Sequence, residues 1–148
     1  MHRLFRLGLF AGCLLLPLLT PPALADEADV LGEWQTHKGG HVEFYMCGDK
    51  LCGRVSKLAR DDHDAPPTDI NNPDPDMRDR PLLGLVMFKN YTSAGDGRWT
   101  DGEVYNVENG KTYRSKLALL PDDQLKLSGC IFIFCRSYTW NRAPGEGQ

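Results

Sequence analysis

Basic residues are few in this chain and nowhere clustered. It has 17 Lys and Arg against 20 Asp and Glu, a formal net charge of −3. No cationic run could follow a phosphate backbone, which argues against nucleic acid and against an electrostatically held anionic lipid surface. Beyond the first 25 residues no stretch approaches the ~20 apolar residues that cross a bilayer as a helix. Catalytic signatures are missing as well. There is no His-Glu-x-x-His, no Gly-x-Ser-x-Gly and no phosphate loop. Beyond the first 25 residues the histidines are His37, His41 and His63, all in or beside polar turns, and they read as surface residues. No acid–base pair, cofactor motif or metal motif stands out, so the chain does not read as an enzyme. Helical periodicity is absent outside the first 25 residues.

Those 25 residues read as a secretory leader. Arg3 and Arg6 form a basic start, Leu7 to Leu19 an apolar core, and Ala23 and Ala25 a small-x-small cleavage signal. Cleavage after Ala25 leaves 26–148 as one domain of periplasmic or secreted protein, with no stable membrane span. The alternative is a lipoprotein anchored at Cys13, which lies in "FAGC".

Export gives the remaining cysteines a structural meaning. Cys47, Cys52, Cys130 and Cys135 form an even set in a small exported domain, which favours disulfides over zinc. Three pairings are open; the local one, 47–52 with 130–135, needs the least coincidence. In a hairpin with a four-residue loop each pair would sit directly across the ladder. That register would also set Tyr45 opposite Arg54 and Glu43 opposite Ser56.

Apolar runs of strand length are punctuated by turns. Strands are expected at Val30–Thr36, His41–Cys47, Cys52–Ala59, Leu82–Tyr91, Trp99–Val107, Lys111–Leu120, Leu125–Ile131 and Phe134–Arg142. Asn109-Gly110 is a strong hairpin signal. In "KTYRSKLAL", Tyr113, Ser115, Leu117 and Leu119 share a face, as do Leu125 and Leu127 in "QLKLSG". Eight sequential strands with tight turns predict an all-β fold, an antiparallel eight-stranded meander barrel whose closure removes exposed edges.

The segment Arg60–Pro81 breaks this rhythm, with seven Asp and five Pro. It reads as a Pro-stiffened, lid-like loop in which Asp74 caps a short helical turn begun by Pro75. It matches no calcium-loop template. Asn72, Asp74 and Arg80 are its candidate ligand-binding residues. Glu43, Tyr45 and Arg54 are the others, on one face of the second hairpin. They form either an outward cross-strand cluster or, turned inward, a polar floor for a ligand. The four apolar residues of "IFIF", Ile131–Phe134, are expected to tuck under the barrel as a plug; a ligand mouth or an interface is the alternative.

Gly32-x-Trp34 near the start and Trp140-x-Arg142 near the end resemble the closure residues of lipocalin or calycin barrels, in which an arginine lies across an early tryptophan. A longer resemblance runs through "GEWQT", "GGHVEFYMCGDKLCGRV", "NNPDPDMRDRPLLGL", "GEVYNVENGKTY", "LKLSGC" and "TWNR". In this order they are similar to the bacterial domain-of-unknown-function family 2147. The resemblance implies a small exported lipocalin-like barrel and no particular reaction. Where the family pattern often places an Asp-Pro pair, this chain has Asn106-Val107, so no role can rest on a carboxylate there. The partner this reading favours is a small apolar or amphipathic ligand, with a filled, non-catalytic envelope interaction protein as the alternative.

Overall fold

The computed structural model describes residues 27–59 and 68–145. The leader, Cys13, His63 and positions 60–67 of the Asp-rich loop lie outside the described residues. Eight strands run in sequence: β1 (Gly32–Gln35), β2 (His41–Cys47), β3 (Lys50–Lys57), β4 (Val86–Gly95), β5 (Arg98–Asn106), β6 (Lys111–Leu120), β7 (Gln124–Ile131) and β8 (Phe134–Arg142). Each pairs antiparallel with its chain neighbour, and β8 returns to β1, closing the barrel. The alternation that predicts the strands also orients them. Ser115 and Leu117 on β6 and Leu125 and Leu127 on β7 are buried inside, while Lys116 and Lys126 between them are exposed.

The interior is aromatic. Trp34, Phe44, Phe88, Tyr91, Trp99 and Trp140 are all buried, with Leu51, Leu117 and Leu125 between them. Phe88 is the hub: its ring centroid lies 5.3 Å from Phe44, 6.5 Å from Tyr91 and 5.7 Å, edge-on, from Trp140. Tyr91 hydrogen-bonds Ser115. Burial above all, with a smaller push from the Glu103 charge and against the Ser115 bond, holds the Tyr91 hydroxyl well above its ordinary pKa, so it stays neutral. The Tyr91 ring lies flat against Gly102, where any Cβ would fall inside the ring's van der Waals envelope. Gly102→Ala is therefore expected to destabilise by about 1–3 kcal/mol through overpacking, because a fully buried ring has nowhere to move. Urea unfolding checks this: an unchanged midpoint would show that the ring shifts freely.

Five expectations need correction. Val30 does not open a strand; it ends a 3-10 helix, Glu27–Val30. β4 starts at Val86 and not Leu82, because Leu82 to Leu85 turn around Gly84 at φ +83°. The β2–β3 loop has two residues, not four. Gly48 takes φ +73°, the first position of a type II′ hairpin turn, so Cys47 faces Lys50, Tyr45 faces Cys52 and Glu43 faces Arg54. The Cys47–Cys52 disulfide consequently bridges diagonally, at a Cα separation of 5.8 Å, whereas Cys130 and Cys135 are directly opposed at 4.0 Å. Finally, "IFIF" is not a plug: Phe132 and Ile133 form an exposed two-residue turn. His41 is also not a surface residue. It opens β2 buried, its Nδ1 3.3 Å from Glu33 Oε2.

Candidate functional site at the open end of the barrel

In an up-and-down meander, alternate connections lie at alternate ends. One end holds the β2–β3, β4–β5 and β6–β7 turns and the chain's entry to β1. It is sealed. Trp34 and Arg142 are ladder partners, and the Arg142 guanidinium lies 4.2 Å from the centre of the Trp34 ring system. Its Nη1 donates to Leu31 O at 3.0 Å and its Nη2 to Asp29 O, while Trp34 Nε1 donates to Val30 O at 2.8 Å. The carbonyls leaving the 3-10 helix are thus capped by the two closure residues.

The other end carries the β1–β2, β3–β4, β5–β6 and β7–β8 connections. Here the inward faces hold half-buried residues with apolar bodies and polar tips. Tyr138 and Val104 pack on the core. His37 stacks flat on Tyr138, with centroids 4.3 Å apart and planes 7° from parallel. Tyr113 accepts from Asn109 Nδ2 at 2.8 Å. This amphipathic rim contrasts with the apolar interior beneath it.

The long β3–β4 loop is pinned beside that rim by Asp69, whose side chain is fully buried. Asp69 Oδ2 accepts from Arg80 Nε and Nη2 at 2.9 and 2.7 Å and from Asn72 Nδ2 at 2.7 Å. Its Oδ1 accepts from the Tyr105 hydroxyl on β5 at 2.8 Å. Burial works to raise the Asp69 pKa, but the bonds from Asn72, Tyr105 and Arg80, with the Arg80 charge, outweigh it and hold the carboxyl below its ordinary range. Burial, and then Asp69 itself, push the Tyr105 hydroxyl upward. Asn72 Oδ1 accepts from Asp74 N at 2.9 Å. Asp74 caps the 3-10 helix Pro75–Met77 through Asp76 N. Asn71 Nδ2 donates to Val107 O at 3.0 Å, tying the loop to the β5–β6 turn.

The structure therefore brings Asn72, Asp74 and Arg80 into one network and leaves the other three candidates elsewhere. Glu43, Tyr45 and Arg54 lie on the outer wall, where Arg54 pairs with Glu43 at 2.8 Å and stacks over Tyr45 at 5.2 Å. They form no inward polar floor, because Val42 and Phe44 occupy the inner face of β2. Asp69 and Tyr105 were not among the candidates. One of seven aspartates in a polar loop carries no local mark, and its partner lies 36 residues away. Two buried side-chain atoms lack a hydrogen-bond partner among the described residues: Ser56 Oγ and Trp140 Nε1. The described residues contain no group of three metal-ligating side chains and no helix long and apolar enough to cross a membrane.

Over residues 32–142 the chain matches the model of a bacterial family described as uncharacterized protein conserved in bacteria, DUF2147. The chain belongs to DUF2147. This DUF2147 barrel is also similar to a solved structure described as protein HP1028 from the human pathogen Helicobacter pylori, which belongs to the lipocalin family. The two share 26% identity at a TM-score of 0.71, covering 79% of this chain and 84% of that one. No curated protein matches. The DUF2147 fold in this chain is thus a lipocalin-like barrel, and its two disulfides fit an oxidising compartment.

Proposed function

We propose that this protein is an exported, non-catalytic barrel that binds a small, partly apolar ligand carrying an oxygen acceptor. The observation that supports this best is the indole N–H of Trp140. It is buried among aromatic rings with no acceptor among the described residues, whereas Trp34 and Tyr91 in the same interior are both bonded. An unpaired buried donor costs about 1–3 kcal/mol, and a ligand carbonyl or carboxylate oxygen would offset that cost. The His37–Tyr138 stack and Tyr113 at the rim suit the entry of such an amphipath. The aromatic cluster around Phe88 limits the ligand to a slender chain, not a polycyclic body.

Titrating the 15N-indole-labelled protein with decanoate and with decanol tests the reading. The Trp140 indole resonance, assigned by its loss in Trp140→Phe, is expected to shift and saturate, while the Trp34 resonance, already bonded, stays put. A Trp140 signal indifferent to both ligands would overturn the proposal. It would favour the second reading, a filled barrel that works through its loops. The observation favouring that reading is the near-complete burial of Trp34, Phe44 and Leu117 at 0%, 1% and 2% exposure.

A further inference from the structure

We propose that the tip of the β7–β8 hairpin docks the open end of the barrel onto a lipid bilayer. Ile131, Phe132, Ile133 and Phe134 are 54%, 97%, 86% and 78% exposed, so four consecutive large apolar side chains stand in water. The backbone beneath them is built to hold them there. Cys130 and Cys135 are bonded directly below the tip, at a Cα separation of 4.0 Å. Phe132 adopts φ +53°, a conformation that glycine takes freely and a bulky residue takes only at a cost. A glycine would relax the turn, and the chain places a phenylalanine at its most exposed point instead.

The distribution of apolar surface selects the occupant. Among the described residues nine large apolar side chains are exposed, and eight belong to this end. Leu58, Ile70, Met77 and Leu83 accompany the β3–β4 connection, and the other four are the tip; Met46 alone sits at the sealed end. A protein pocket receiving one knob would not call for apolar residues on a second connection. A bilayer interface accepts both, because it deforms around a convex knob and extends past it. Arg114, the ladder partner of Cys130, and Arg136, opposite Gly129, are exposed and form no ion pair among the described residues. They stand behind the apolar tip, at the level of headgroup phosphates once the tip is inserted. The chain as a whole is negative, so insertion of the tip drives the docking and the two arginines reinforce it. The inference holds whether or not the barrel takes a ligand.

The test places a reporter at each end. Phe132→Trp and Met46→Trp are made separately in the full chain, with the native tryptophans buried in both. Each is mixed with vesicles of phosphatidylcholine and phosphatidylglycerol, with and without brominated acyl chains. The expected result is a blue shift and bromine quenching at position 132 and neither at 46. Any membrane affinity of the N-terminal leader is common to both proteins and cannot produce that difference. Phe132→Ser with Ile133→Ser, both at exposed positions, is expected to leave the melting curve in place and to lower the vesicle-bound fraction of leader-free protein by about tenfold or more. A reporter at 132 that ignores the vesicles, or two reporters that respond alike, would overturn the proposal.

Discussion

Trp34→Ala is expected to destabilise the protein by about 3–5 kcal/mol, the range for truncating a fully buried tryptophan. The barrel's weakest seam makes the site sensitive. β1 is four residues long and meets β8 through only two ladder pairs, Trp34 with Arg142 and Gln35 with Asn141. The seam is held instead by side chains. The Trp34 ring fills the sealed end, and Arg142 lies on it while tying β8 to the carbonyls of Asp29 and Leu31. Arg142→Lys keeps the charge and loses the planar stack and the forked donors, at a cost of about 1 kcal/mol. A double-mutant cycle on the two positions isolates the contact, and a coupling near 1 kcal/mol is expected. Zero coupling would mean that the ring contributes by filling space alone. The guanidinium would then serve the seam only through the Asp29 and Leu31 carbonyls.

What could be read in the sequence follows the range of the physics involved. Strand positions rest on alternation within a single segment, so His41–Cys47, Lys111–Leu120 and Phe134–Arg142 are bounded as expected, residue for residue. The Asp74-Pro75 cap is equally local and equally legible. Register depends on turn type. Gly48-Asp49 carries the mark of a two-residue type II′ turn, yet two cysteines five apart in sequence suggest direct opposition. Diagonal bonding reconciles the two, and it displaces Arg54 from Tyr45 to Glu43. Exposure of the 131–134 tip escapes sequence reasoning for a different reason. Hydrophobicity predicts burial only when something is available to bury against, and a hairpin tip past the last β6–β7 pair, Arg114 with Cys130, offers nothing. Asp69 is the furthest from legible, because what ties its loop to the barrel is Tyr105 on β5, 36 residues away.

Asp69→Ala is the second large effect expected, and it should appear in the loop before it appears in the fold. Removing the carboxylate strands Arg80, Asn72 and the Tyr105 hydroxyl together. Breaking a buried charged pair this way costs about 3–5 kcal/mol. Arg80 is a third exposed and can return to water, which places the expected cost near the lower bound. The loop can undock without unfolding the barrel, so hydrogen exchange is the appropriate measurement. The amides of Asp69, bonded to Arg80 O, and of Asn72, bonded to Asp69 O, should exchange about a hundredfold faster, while β6 and β7 amides keep their protection. The same clasp should respond to pH with a definite sign. The Asp69 carboxyl is held below its ordinary value of 3.8, so its stabilisation is complete above that pH and is lost as pH falls through the depressed value. Tyr105 is raised above 10.0, so the clasp weakens again only as pH rises past its ordinary titration. Corrected for intrinsic exchange rates, loop protection should be flat through neutral pH and fall in acid below about 4. In Asp69→Ala that acid limb should vanish. An acid limb that persists in the variant would remove Asp69 as the clasp.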